Sequence, residues 1–225
     1  NVIKRVVITP ARGIIYDRNG KMYVTNEPIF DLTVVPNELH LDDTNALSVA
    51  LSVNRNELAA KLLAAEEYSE LQPSVIKNHI YAEEYAQIQE HLWAYGGIYT
   101  VVRNMRSYQD SVGANVLGYI NEVNPNDITA SSRYYQQGDF IGRNGLERNY
   151  ESLLRGMKGV RKVIRDVHSR EVGPFAGGEL DTLPIKGQDI VISLDLDLQR
   201  YGEQLMAGKF GSIVAIEPAT GEILA

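Results

Sequence analysis

Arg12-Gly-Ile-Ile-Tyr-Asp-Arg-Asn-Gly20, continued by Lys21-Met-Tyr-Val24, is the stretch that decides how this chain is read. Ile14-Ile-Tyr16 and Met22-Tyr-Val24 are two short β-prone runs, and Asn19-Gly20 between them supplies the positive φ that a tight connection needs. The stretch therefore predicts a β-hairpin. A second glycine-punctuated segment, Ile141-Gly-Arg-Asn-Gly-Leu-Glu-Arg-Asn-Tyr150, leads into a predicted helix over 145–155 that Gly156 and Gly159 close.

Outward from these two landmarks, residues 2–24 are rich in Val and Ile and are broken by Pro10 and Gly13, which predicts short strands. Phe30 to Val35 reads as a strand ended by Pro36. Asp42, Asp43 and Thr44 offer N-caps for a helix to about Leu51, and Asn54 or Asn56 caps another to about Ala65. A strand over 73–80, a helix over 82–93 stopped by Gly96-Gly97, and a strand over 98–102 follow. Residues 28–105 thus read as a small α+β unit inserted between strand-rich flanks. Beyond it come a short helix over 111–120, a loop-like stretch over 122–139 dense in Asn, Asp, Ser and Gln, and strands over 160–167 and 171–172. A Gly- and Pro-bearing linker over 175–186 leads to a strand over 189–194, and Asp195 to Gln199 turns into a helix ending near Met206. Ile213 to Ile216 pairs with Glu222 to Leu224 across Pro218-Ala-Thr-Gly221. The expected class is α+β, divided as 1–27, 28–105, 106–186 and 187–225.

Composition narrows the possible functions. The 225 residues are 44% hydrophobic and 23% charged, enough for one large or two modest cores. A net charge of −7 with no clustered Lys and Arg argues against a nucleic-acid footprint. With no cysteine, a disulfide framework and a Cys-based metal site are excluded. No apolar run approaches the roughly 18 to 20 residues that cross a bilayer. Asn1, which has no initiator Met before it, is read as a cut end, with room for an anchor upstream.

Candidate chemical groups are sparse. His40, His79, His91 and His168 are scattered without ligand spacing, so no metal and no cofactor are expected. Asp195 and Asp197 stand at i and i+2, the spacing of a carboxylate pair, but one of them is expected to cap the following helix. Glu66-Glu67 and Glu83-Glu84 read as solvated helix faces. Arg12, Asp17 and Arg18 place two guanidinium groups and a carboxylate around one hairpin, a set that can form a bidentate network bracing it. Arg143, Glu147 and Arg148 can tie the helix starting near Gly145 to its surroundings, and Glu147 near that helix's N-terminus is favoured by the dipole. Gly13, Gly20, Gly142 and Gly145 complete the set of structural or interface candidates.

In chain order, these blocks resemble the non-catalytic front half of the class B penicillin-binding proteins. Asn1-Val-Ile-Lys-Arg5 and Pro10 to Gly20 resemble the opening of the dimerisation or pedestal region, and Val116-Leu-Gly-Tyr-Ile120 the next landmark. Gly142 to Glu147 through Leu154-Arg-Gly156 resembles the G-x-x-G-[LI]-E…L-x-G block. Gly187 to Asp195 with Leu198-Gln199 resembles the entry to the transpeptidase domain, and Gly211 to Ala225 its first hairpin. The Leu194-Asp-Leu-Asp-Leu-Gln199 run and the short Leu205-Met-Ala-Gly-Lys209 spacer are more similar to the elongation-specific branch than to the division-specific one.

The resemblance implies a strand-rich pedestal with an inserted head over 28–105, followed from 187 by the start of an incomplete transpeptidase domain. It implies a parent serine D,D-transpeptidase anchored by a single span, absent here, in the bacterial inner membrane, with this region on the periplasmic side. It implies contacts with a RodA-type SEDS glycosyltransferase and an MreC-type scaffold, and it leaves self-association open. The chemistry of the family runs through S-x-x-K, then S-x-N, then K-T-G or K-S-G. Here Ser52-Val-Asn54 precedes Ser74-Val-Ile-Lys77, no K-T-G or K-S-G follows, and Ser74 sits after Pro73 in a β-branched run. Both matches read as chance, so the fragment is expected not to be an enzyme. Two other readings stay open: a division-specific paralogue, and a stand-alone hydrolase using Ser74.

Overall fold

The computed structural model describes residues 2–40, 44–108, 112–131, 134–165 and 171–225. In chain order the elements begin with β1 (Val2–Ile8), β2 (Ile15–Tyr16) and β3 (Met22–Val34), then a 3-10 turn at Pro36–Glu38. Next come α1 (Thr44–Ala50), α2 (Arg55–Tyr68), β4 (Ser74–Ile80), α3 (Ala82–Leu92) and β5 (Ile98–Tyr108). They continue with α4 (Ala114–Leu117), β6 (Ile120–Glu122), α5 (Pro125–Ala130), β7 (Phe140–Gly142), α6 (Gly145–Asn149) and α7 (Glu151–Leu154). The last are β8 (Gly159–Arg165), β9 (Glu171–Pro174), a 3-10 stretch at Phe175–Gly178, β10 (Ile190–Val191) and α8 (Leu196–Met206). The class is α+β.

The hairpin forms where the sequence puts it. β2 and β3 are antiparallel with Ile15 opposite Val24 and Tyr16 opposite Met22, and Gly20 holds φ +81° in the turn. β10 lies parallel to β2, with Ile190 beside Ile15 and Val191 beside Tyr16. Further along, β3 pairs with β4 and β5. β1, β8 and β9 form a separate three-stranded sheet in that order, and β6 pairs with β7.

The chain divides into two compact units. One holds residues 1–4, 27–105 and 162–177, and the other 5–26, 106–161 and 178–225. In the first, α1, α2 and α3 bury Leu47, Leu51, Leu58, Ala65 and Ile88 against Leu32 and Val34 of β3 and Ile76 and Ile80 of β4. Asn54 caps α2 by accepting from the Asn56 amide, and Phe30 stacks on Tyr85 with ring centroids 3.9 Å apart. In the second, Ile15, Tyr23, Val24, Val112, Leu117, Leu154, Leu194 and Leu196 form the core.

Three local readings change. The strands expected at 22–24 and 30–35 are one strand of 13 residues, because the fixed φ of Pro28 suits an extended chain and Glu27 and Pro28 are exposed, so no donor is missed there. Within 122–139, the polar residues read as loop are helix-start chemistry. Asn124 accepts from the Asp127 amide, Asp127 accepts from the Asn124 amide, and Pro125 opens α5. The helix expected over 145–155 is divided at Tyr150, whose φ of −103° and ψ of 18° leave the helical region. Asp42, Asp43, Ser111 and His168 lie outside the described residues.

Candidate functional site

The two glycine-punctuated stretches meet inside the second unit. Glu147 and Glu151, four residues apart on α6 and α7, face the same side, and Arg12 lies between them. Arg12 donates from Nε to Glu147 Oε2 at 2.7 Å, and from Nη2 to Glu151 Oε2 at 2.6 Å and to the Glu147 carbonyl at 3.0 Å. Arg106, at the end of β5, takes the other oxygen, donating from Nε to Glu147 Oε1 at 2.7 Å. Its Nη1 donates to the Gly13 carbonyl at 2.6 Å and to Asn26 Oδ1 at 3.1 Å, while Asn26 Nδ2 donates to the Arg12 carbonyl at 2.6 Å. Glu151 is completed by the Gly142 amide at 2.9 Å and the Tyr135 hydroxyl.

Two arginines and two glutamates thus form a neutral buried node in which the Glu147 and Arg106 side chains are 0% and 1% exposed. Burial opposes the charge on Arg12, yet the hydrogen bond to Glu151 and attraction to both carboxylates prevail, and its pKa rises. For Arg106, whose Nη2 is buried without a partner among the described residues, burial prevails and lowers it. Burial also opposes ionisation of Glu151, but the hydrogen bond and charge of Arg12 bring its carboxyl below the usual range.

Asp17 and Arg18 do not join Arg12. Asp17 is fully buried and folds the hairpin tip around its carboxylate, accepting from the Asn19 amide at 2.8 Å and the Lys21 amide at 2.7 Å. Its second oxygen accepts from the Leu196 amide at 3.3 Å, at the start of α8. Around it the tip grips residues 194–222. The Arg18 amide donates to the Leu194 carbonyl at 3.1 Å, Asn19 Nδ2 donates to Asp195 Oδ2 at 2.9 Å, and Lys21 pairs with Asp197. Arg18 reaches Glu217 at 3.4 Å and Glu222 at 3.7 Å. On the far side of α8, Glu203 accepts from the Gly113 amide at 2.7 Å. The hairpin tip is therefore a clasp on the last segment of the chain.

The glycines serve close packing. A Cβ on Gly13 would stand 1.9 Å from the Gln188 carbonyl oxygen, and on Gly142 it would stand 2.2 Å from that of Glu147. A Cβ on Gly145, whose φ is +58°, would stand 2.4 Å from the Val116 carbonyl oxygen, whereas Gly20 has open space and is needed for its φ alone. Arg143 pairs with Asp127 at 2.8 Å and Arg148 is exposed, so of that trio Glu147 alone enters the node. Arg106 and Glu151 went unread in the sequence. The Glu147–Glu151 spacing of four was a usable signal, but nothing local marks an arginine 41 residues from its carboxylate.

The remaining candidates have structural explanations. Asp195 caps α8, accepting from the Asp197 and Leu198 amides at 3.0 Å, as expected. Ser74 and Lys77 lie on strand β4, and Lys77 donates to the Leu51 carbonyl at 2.5 Å and to Glu84 at 2.6 Å. Among the described residues, no three His, Cys, Asp or Glu side chains are grouped to hold a metal, and no helix is long and apolar enough to cross a membrane.

Residues 7–192 match the penicillin-binding protein dimerisation domain. Peptidoglycan D,D-transpeptidase MrdA of Salmonella typhimurium strain LT2 is 32% identical over all of this chain and 37% of that protein. Its namesake in Acinetobacter baumannii is 31% identical over all of this chain and 34% of that protein. The chain thus spans little more than a third of the length of these relatives. A chain of the complex between penicillin-binding protein (PBP2) and MreC from Helicobacter pylori shares the fold. Its TM-score is 0.75 at 22% identity, over 100% of this chain and 42% of that one. With both signature stretches joined in one buried node inside the matched span, the chain belongs to the penicillin-binding protein dimerisation-domain family.

Proposed function

We propose that this chain is the non-catalytic base of a longer elongation-type peptidoglycan D,D-transpeptidase, holding the catalytic domain on the periplasmic side of a bacterial inner membrane. The relatives carry that activity in their names, and the clasp supports a positioning role. Asp17, Asn19 and Lys21 grip the start of α8, the first helix of the proposed catalytic part at 187–225. Leu198, Tyr201 and Leu205 of α8 and Phe210 beyond it are exposed, an apolar face suited to being covered by more of such a domain. In this reading 1–27 and 106–186 are the pedestal and 28–105 the head. Positions 12, 13, 17, 18, 20, 142, 145 and 147 fix the pedestal's shape.

The base also contacts cell-elongation partners. The structural neighbour comes from a complex with MreC, which supports an MreC-type scaffold as one of them, and a RodA-type glycosyltransferase is a second. The base itself forms no acyl-enzyme. A serine nucleophile needs its lysine one helical turn away, and Ser74-Val-Ile-Lys77 is a strand whose lysine is already paired.

The test is incubation with a fluorescent penicillin of this chain and of one extended through the catalytic region. Covalent labelling of the longer chain alone is expected. Labelling of residues 1–225 that disappears in Ser74→Ala would overturn the reading in favour of a hydrolase.

A further inference from the structure

The charge of the chain is not evenly spread. Residues 27–105 carry twelve Asp and Glu against four Lys and Arg, a formal charge of −8, whereas the rest carries seventeen against eighteen, or +1. The whole negative balance of −7 therefore comes from the inserted stretch. Within the same unit, α1 and α3 border a cleft of about 530 Å³. Its lining includes Ala46, Val49, Ala50, Gln87, Ile88 and His91. Val49 is 78% exposed on one side, and Trp93, just beyond the other, is 87% exposed. Glu84 of α3 is in the lining, and Glu83 and Glu90 are exposed on the same helix.

We infer that this cleft docks a cationic segment of another protein, with one aliphatic side chain seated between α1 and α3 and flanking Lys or Arg side chains against the α3 carboxylates. A volume of this size takes a few side chains rather than a small protein face, and Ala46, Val49, Ala50 and Ile88 in its lining suit an aliphatic anchor, with the Glu84 carboxylate beside them for a cation. The field of a −8 surface raises the encounter rate of cations and repels anions. It therefore opposes occupation by a second copy of residues 27–105, which brings the same charge, and by an anionic lipid surface. The inference names a partner chemistry within the partner-contacting role proposed above. It does not depend on which catalytic domain follows, and the penicillin experiment and the one below fail independently.

The probe is a fluorescein-labelled amphipathic peptide of Leu and Lys, with its Leu and Glu counterpart as the reversed control. Both are titrated into the 15N-labelled chain and followed by anisotropy and amide shifts. The Leu/Lys peptide is expected to bind with its largest shifts on 44–52 and 84–95 and with affinity falling as salt rises, while the Leu/Glu peptide does not bind. Val49→Asp, at an exposed position that spares the core, is expected to weaken binding about tenfold, as truncating an anchor does. Glu83→Lys with Glu90→Lys is expected to weaken it more than Glu66→Lys with Glu67→Lys, a pair on α2 that does not line the cleft. Equal weakening by both pairs, or shifts spread over the acidic surface without the cleft, would reduce the effect to diffuse attraction and overturn the inference. A dimer in sedimentation that is abolished by Val49→Asp would overturn it as well, by assigning the cleft to self-association.

Discussion

The two units are held together by different physics. The unit containing 27–105 packs nine buried apolar residues, from Leu32 to Ile88, into one cluster, and its buried carboxylate, Asp31, accepts from the His79 amide and pairs with an Arg103 that reaches solvent. The unit containing 106–161 also has an apolar core, but it encloses two arginines and two glutamates whose carboxylate oxygens each have a named donor. An aliphatic core is non-directional and accepts side chains of similar volume. A buried ionic node accepts one arrangement, because removing any member leaves a charge out of water without its partner. The difference suits the proposed division of labour: a head whose surface chemistry can be set for a partner, and a base whose geometry holds a neighbour in register.

The comparison breaks most readily at Glu147. Glu147→Gln leaves Arg106 and Arg12 short of a counter-charge in a site that is 0% exposed, and a loss of about 3 to 5 kcal/mol is expected from urea denaturation. Hydrogen exchange is expected to speed up in 5–26, 106–161 and 178–225 while amides of α2 and β4 keep their protection. Equal loss in both units would mean that they unfold as one. The matching change in the other unit, Leu58→Ala at a fully buried position, is expected to remove about 3 kcal/mol, whereas Leu58→Met removes less than about 1.5.

Titration sharpens the contrast. The Glu151 carboxyl is depressed in the folded chain by Arg12 against the opposing effect of burial, so its contribution is complete above its unfolded value and is lost as pH falls through the folded one. Glu151→Gln is expected to flatten that acid limb in a pH series of denaturation midpoints. At the alkaline end, burial first and nearby carboxylates second push the Tyr23 and Tyr108 hydroxyls up to about 12. Stability from these two is complete below about 10 and lost as pH rises through 12, a decline that Tyr23→Phe is expected to reduce.

Smaller effects belong to the clasp. Gly20→Ala meets no neighbour within 4 Å but must hold φ +81°, for which about 1 kcal/mol is expected by thermal melting. A steric clash there would cost far more and would show that the turn is packed. Lys21→Ala removes a solvent-exposed pair with Asp197, and no resolvable shift in melting temperature is expected.

Much of this architecture is written locally. Asn19-Gly20 sets the hairpin, Asn54 and Asp195 cap their helices, and Gly97 ends the α3 region at φ +82°, because each acts on backbone groups within a few residues. The ionic node is not written that way. Arg12 stands five and six residues from Asp17 and Arg18, and an ionic network among the three was the natural local reading. Instead the Asp17 carboxylate is taken by three backbone amides, and Arg12 pairs across 135 and 139 residues.

By itself, the sequence determined most of the element types, the turn and cap chemistry at Gly20, Asn54 and Asp195, the family through its ordered motifs, and the concentration of negative charge in 27–105. The tertiary structure alone decided which charges meet. It placed Arg106 between Gly13, Asn26 and Glu147, closed the hairpin tip on α8, and left the cleft between α1 and α3 open. The physical reason is range. Turn and capping preferences come from hydrogen bonds within about four residues, whereas the partner of a buried charge is chosen by whatever the assembled strands and helices bring within 3 Å.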